Sequence, residues 1–230
     1  MVGILTLPRT TIGKKVIMAV TGLIGIGFVF GHMYGNLKFF FGPKEFNAYA
    51  EGLREFGSPI LTHSEPLWIV RLILLASVVL HVWSAWSLYQ DSRRARSTPY
   101  SLYTTLHTNF AARYIRFGGT VILIFIIIHL MQFTWGVPVI EPDFIPGHVY
   151  HNVVVGFQSY YYLPAVFYLV AMLLLGFHLY HGTWSMFQTL GLNNSNYTHL
   201  WRGLALILAV VISVGFAIIP LAVILGYVSQ

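Results

Sequence analysis

Five stretches of this chain are apolar over helical lengths, and polar or turn-forming residues gather in the intervals between them. The apolar stretches predict helices over about 13–41, 66–89, 113–137, 160–190 and 199–227. Each is close to the roughly 20 residues that the hydrocarbon core of a bilayer requires. The linkers are marked by turn and charge chemistry: FGPKEFNAYAEGLREFGSPILTHSE, QDSRRARSTPY, GVPVIEPDFIPGHVYHNVVVG and GLNNSNY. Within the first of them, EFNAYAEGLREF has the pattern of a short amphipathic helix lying at the interface. There is no internal repeat and no low-complexity tract. The expectation is an all-α fold, a single transmembrane domain over 1–230 built as a polytopic bundle of five membrane-spanning helices.

Composition strengthens this reading. Hydrophobic residues make up 57% and charged residues 9%, against the roughly 25% charged residues of a soluble domain, and the mean hydropathy is +0.71. Arg9, Lys14 and Lys15 precede an apolar run much longer than the core of a signal peptide, so the first helix is expected to persist in the mature protein. With no cysteine, the chain supplies no disulfide, no thiolate haem ligand and no cysteine-held iron–sulfur cluster.

Charge sets the expected orientation. Arg9, Lys14 and Lys15 flank the first helix, Arg93, Arg94, Arg96, Arg113 and Arg116 surround the second linker, and Arg202 follows the fourth. By the positive-inside rule that face is cytoplasmic, with the N-terminus inside and the C-terminus outside. Glu45, Glu51, Glu55, Glu65, Glu141 and Asp143 fall on the opposite face, leaving Asp91 as the one acidic residue on the basic side. The expected location is a bacterial cytoplasmic membrane, crossed several times.

Four of the five spans carry a deep histidine: His32, His81, His129 and His178. At about 1.5 Å per helical residue, His32 and His129 lie roughly 24 and 18 Å from the cytoplasmic ends of their helices, and His81 and His178 about 10 and 14 Å. The four sort into two layers, each drawing on one earlier and one later helix. Neutral imidazole is a strong ligand for haem iron, and two of them fill both axial positions, which suits electron transfer. Each histidine shares a helical stripe with small or polar residues: His32 with Thr21, Gly25, Phe28 and Asn36, His81 with Leu74, Ser77 and Ser84, His129 with Gly118, Ile122, Phe125 and Gln132, and His178 with Ala171, Leu174, Gly182 and Ser185. Small residues make room for a macrocycle, and polar ones can bond the imidazole nitrogen turned away from the metal.

Blander roles exist for the same residues. A buried histidine can serve only as an interhelical hydrogen-bonding group, and Gly27, Gly31 and Gly35, spaced by four, can serve only close helix contact. Four ionisable groups at matched depths favour function, since such groups are costly in a membrane. His181, three residues after His178, is a rival that spacing alone does not dismiss. His63, His107, His148, His151 and His199 fall at or outside the interfaces, and the tryptophans Trp68, Trp83, Trp86, Trp135, Trp184 and Trp201 read mostly as interfacial anchors.

The segments GHMYGNL with His32 and Asn36, LHVWSAW with His81, RFGGTVILIFIIIHL with Arg116 and His129, and HLYHGTW with His178, Gly182 and Trp184 together resemble the cytochrome b membrane subunit of succinate:quinone oxidoreductases. The resemblance is to the single-subunit, five-helix, two-haem branch, related to quinol:fumarate reductases of the same type, and it covers nearly the whole chain. It implies His178, four before the glycine, as the ligand in preference to His181. It further implies two haem b groups, one held by His81 and His178 on the cytoplasmic side, the other by His32 and His129 on the outer side.

The functional expectation carried by the resemblance is an anchor and relay. A flavoprotein partner with FAD oxidises succinate, an iron–sulfur partner passes the electrons on, and this chain carries them to a membrane quinone, expected to be menaquinone. The enzyme activity is that of succinate dehydrogenase as a complex, with the succinate chemistry in another subunit. Higher oligomers of the complex are compatible with this reading, and no nucleic-acid partner is expected. Arg116, with Arg113 beside it, is a candidate for pairing with haem propionates, and Glu65, with His63, for proton exchange with quinone near the outer haem. Some two-haem fumarate reductases carry a glutamate two residues before the fourth ligand; here that position is Gly176, so a transmembrane proton path of that kind does not carry over. Two alternatives stay open: the cytochrome b subunit of a membrane hydrogenase or formate dehydrogenase, and a haem-free anchor or transporter. Against a transporter stands the lack of inverted repeats and of paired broken helices.

Overall fold

The computed structural model describes residues 4–57, 59, 60, 62–95 and 110–228. Arg96 and His107 lie outside them, as does the side chain of Arg113. Every regular element is helical among the described residues. A short 3-10 segment, Ile4–Arg9, leads into α1 (Thr11–Asn36), followed by α2 (Pro43–Glu55), α3 (Glu65–Arg94), α4 (Phe110–Phe133), α5 (Val149–Thr189) and α6 (Thr198–Ile224). Five of these, all but α2, are long and apolar enough to cross a membrane, so the chain is a multi-pass membrane protein.

The ends of the elements follow local chemistry. Thr10 caps α1, its hydroxyl accepting from the Gly13 N–H at 3.0 Å. The predicted first span ran to residue 41, but α1 stops at Asn36 and tightens into a 3-10 segment, Leu37–Phe41, before Gly42 at φ +94 turns the chain. The third span ends at Phe133 rather than 137, because Gly136 at φ +56 followed by Pro138 ends the helical run. The amphipathic segment expected in the first linker is α2, with Phe46 as its buried residue.

The largest departure concerns the fourth span, expected over 160–190 with 136–156 as loop. Helix already begins at Val149 and is broken at Ser159–Tyr162, where Tyr160, Tyr161 and Tyr162 adopt left-handed φ values of 48, 57 and 63. Such backbone costs roughly 1–2 kcal/mol per residue, and the break is braced by Tyr160 Oη donating to the Val139 carbonyl at 2.9 Å and Ser159 Oγ to that of Gly156 at 2.9 Å. The Phe157 and Tyr168 rings are 5.0 Å apart, whereas eleven residues of straight helix would separate them by about 16 Å. Residues 149–158 therefore fold back beside the span instead of extending it.

That folded-back segment, α2 and the end of α6 close one end of the bundle. Phe39, Phe46, Val154, Phe157, Ala165, Tyr168, Ile219 and Val223 form its buried core, and the Tyr150 N–H donates to Asn47 Oδ1 at 3.1 Å. At the opposite end Lys14 Nζ lies 2.5 Å from Asp91 Oδ2, joining the start of α1 to the end of α3. Between the two ends, packing relies on small residues, as expected where lipid competes with helix for apolar contact. Ala19, Ala165, Ala171, Ala205 and Ala209 are buried, and a side chain at Gly215 would collide with Met33.

Candidate cofactor site

The four deep histidines meet in two pairs. The His32 and His129 rings have centres 5.9 Å apart, and those of His81 and His178 are 6.1 Å apart. Two imidazoles holding one metal ion from opposite sides, each at about 2 Å, would have ring centres about 6 Å apart. His181 has no ring contact with His81 among the described residues; it is His178 that faces it.

The pairs also form two layers. Thr21, which contacts His81, is eleven residues before His32 on α1, and Tyr168, which contacts His129, is ten before His178 on α5. Either interval corresponds to a separation of about 15–16 Å along the helix axes.

Each pair bridges two helices that do not otherwise pack closely. The extensive contacts are α5 with α6, α1 with α3, α4 with α5 and α1 with α5; neither α1 with α4 nor α3 with α5 belongs among them. α3 and α4, which carry His81 and His129, bury the smallest shares of their apolar spans. On the α4–α5 side, a cleft of about 210 Å³ opens beside His178, lined by Tyr114, Ile115, Phe117, Gly118, Leu174 and Phe177.

The nitrogen atoms are arranged unequally. His129 Nδ1 lies 3.1 Å from Tyr168 Oη, and His81 Nδ1 lies 3.2 Å from Thr21 Oγ1. In both, Nδ1 is engaged by the protein. Helix backbone crowds the Nδ1 edges at the His81–His178 pair: a Cβ at Gly22 would lie 3.6 Å from His81 Cε1, and one at Gly119 would lie 3.4 Å from His178 Cε1. His178 Nδ1 is buried without a partner among the described residues, as are Ser84 Oγ and Thr183 Oγ1, within about two turns of the His81–His178 pair. Orphaned polar atoms of this kind call for a partner, which bound water or a cofactor can supply.

A protein-caged metal ion is a poor fit to this donor set. Among the described residues no three of His, Asp or Glu converge on one point. A metal that brings its own equatorial ligands needs only two axial imidazoles, and residues that fit a haem are thus present at both layers.

Other expected site residues have different surroundings. The Arg116 guanidinium lies 4.7 Å from the ring centre of Tyr89, on exposed surface. Glu65 Oε2 accepts from the Thr62 N–H at 2.8 Å at the start of α3, and His63 Nε2 is 3.4 Å from Glu51 instead. Position 176 is tight, since a Cβ there would be 2.8 Å from Ser213 Oγ. Asn36 donates to the His32 carbonyl at 2.7 Å and leaves the imidazole alone.

Sequence reading missed the polar partners Thr21 and Tyr168, which act from neighbouring helices. It also missed the burial of Glu141, expected at the outer surface but 1% exposed. Gln132 Nε2 donates to Glu141 Oε2 at 3.0 Å and to the Gly156 carbonyl at 3.1 Å. Burial raises the Glu141 pKa above the ordinary glutamate value, and the Gln132 hydrogen bond opposes this. The chain matches no family model, no curated protein and no solved structure.

Proposed function

We propose that the chain is the membrane anchor and electron-transfer subunit of a succinate:quinone oxidoreductase, holding two haem b groups through His32 with His129 and His81 with His178. The observation that carries this reading is the pairing itself: two interhelical histidine pairs, in two layers about 15 Å apart, between helices that do not otherwise touch closely. Bound haem would supply reversible one-electron chemistry at each layer.

The chain's own residues have the remaining tasks. The four imidazoles would hold the two groups, two imidazoles to each. Tyr168 and Thr21 hold Nδ1 of His129 and His81, fixing ring orientation and the tautomer that presents Nε2. Phe28 and Phe125 stack on His32 and His129 at 5.2 and 5.8 Å, and apolar walls of this kind exclude water. Arg116 is placed near the basic end, where a guanidinium can pair with a propionate.

In this reading the end bearing Lys14, Arg93, Arg94, Arg116 and Arg202 faces the bacterial cytoplasm and docks the iron–sulfur and FAD-bearing partners. The His81–His178 layer would then lie towards the iron–sulfur partner and the His32–His129 layer towards menaquinone, with Glu65 a candidate for exchanging quinone protons. Purification of the complex through a tag on this chain tests the assignment. Co-purifying flavoprotein and iron–sulfur subunits with succinate-dependent quinone reduction support it; a nickel or molybdenum partner in their place assigns the chain to a hydrogenase or formate dehydrogenase.

A further inference from the structure

The Gln132–Glu141 cluster is not used by the relay described above, yet it is among the most completely buried polar groups of the protein. Gln132 is 0% exposed and Glu141 1%. The cluster sits one helical turn beyond His129 on α4, walled by residues 149–158 of α5. Gly156 makes space for it, since a Cβ there would collide with Glu141 Oε2 and lie 2.8 Å from Gln132 Nε2. Both amide hydrogens of Gln132 are committed, to Glu141 and to the Gly156 carbonyl. Gln132 Oε1 and Glu141 Oε1 remain buried with no donor. The cluster is therefore short of hydrogens and not of oxygens, and a proton on the Glu141 carboxyl supplies what is missing. A carboxylate there has one donor, a poor solvation shell for a buried charge.

We propose that Glu141 is a redox-linked proton acceptor, taking up one proton from the outer aqueous face for each electron that reaches the His32–His129 layer and releasing it when the electron moves on. This inference rests on the reading under Proposed function, which supplies the electron from the iron–sulfur partner and its onward transfer to quinone. Charge balances: one electron arriving near a buried carboxylate is matched by one proton converting it to the neutral acid. The titratable groups within electrostatic reach of Glu141 are Asp143 on its own loop and His151 and Tyr168 on the two segments of α5, while α4 presents the uncharged Gln132. His151 is half-buried and hydrogen-bonded to the carbonyl of the exposed Asp143 at 3.2 Å, which places a titratable group between Glu141 and the aqueous rim.

The test is redox potentiometry of the purified haem-loaded protein against pH, following the haem that is lost in His129→Ala. A linked proton gives the wild type a pH window in which the ratio of oxidised to reduced haem changes tenfold per pH unit, about 59 mV for a one-electron step. The proposal expects that window to vanish in Glu141→Gln and to persist, displaced, in Glu141→Asp. A two-haem Glu141→Gln protein with the wild-type slope overturns it. Should Glu141→Gln fail to take up haem, reduced-minus-oxidised infrared spectra of wild type and Glu141→Asp decide: a protonated-carboxyl band that appears on reduction and moves in the aspartate variant supports the proposal, and the absence of any such band overturns it. A folded wild type without haem defeats the functional reading itself, whereas two haems with an unchanged slope defeat this inference alone.

Discussion

The Tyr168 hydroxyl on α5 lies 3.1 Å from Nδ1 of His129 on α4. Tyr168 is 6% exposed and its ring also packs on Phe125, Phe133 and Phe157, so both the position and the direction of the hydroxyl are fixed by packing. Removing it leaves the imidazole free to rotate and to change tautomer. Tyr168→Phe is expected to speed loss of the outer haem to a competing haem acceptor about tenfold or more, whereas Tyr34→Phe, at a 63% exposed position, leaves the rate unchanged.

The inner layer is predicted to fail through a glycine. A leucine at Gly119 would extend from a Cβ already 3.4 Å from the His178 ring, and displace the ring from His81. Gly119→Leu should retain the outer haem and lose the inner one, halving haem per chain. Gly27→Leu, where nothing lies within 4 Å of the added Cβ, should retain both.

Stability should depend on pH through Glu141. Its folded pKa lies above the ordinary value of 4.5, burial being the largest cause. A raised carboxyl contributes full stability below the unfolded pKa and loses it as pH rises through the folded pKa. Thermal unfolding in detergent should therefore show wild type losing stability relative to Glu141→Gln as pH climbs from about 4.5. A difference that grows in the opposite direction would contradict the burial of this carboxyl.

Lys14 is 8% exposed and paired with Asp91. Asp91→Asn leaves a largely buried ammonium without its counter-charge and is predicted to destabilise by about 1–3 kcal/mol, between the surface and fully buried cases. Lys14→Met with Asp91→Leu should recover most of the loss, and thermal unfolding of the three proteins checks this.

Much of this architecture was legible in the sequence because bilayer thickness, helical rise and the cost of buried charge are all strong constraints on one chain. The five spans, α2 and the sorting of the deep histidines into two layers follow from residue spacing, whereas the choice of His178 over His181 comes only from the family resemblance. Periodicity reports which residues share a face of one helix, however, and says nothing of the neighbour that face meets. By spacing Thr21 falls on the stripe of His32, although its hydroxyl serves His81 on α3, and Gln132 falls beside His129, although its amide turns to Glu141. The fold-back at Ser159–Tyr162 was illegible for a related reason. Three tyrosines in left-handed backbone contradict local preference, and what holds them is contact made elsewhere, such as Tyr160 with Val139. Pro138, Pro142 and Pro146 marked the preceding stretch as irregular, and the helix that starts at Val149 was hidden behind them.

The central claim is that two histidine pairs hold two haems, and haem counting tests it most directly. Pyridine haemochrome quantitation on the purified wild type is predicted to give two b-type haems per chain. His32→Ala and His129→Ala should each lose the same haem, His81→Ala and His178→Ala the other, and His181→Ala neither. A folded, colourless wild type, or variants whose losses do not group by these pairs, would contradict the account.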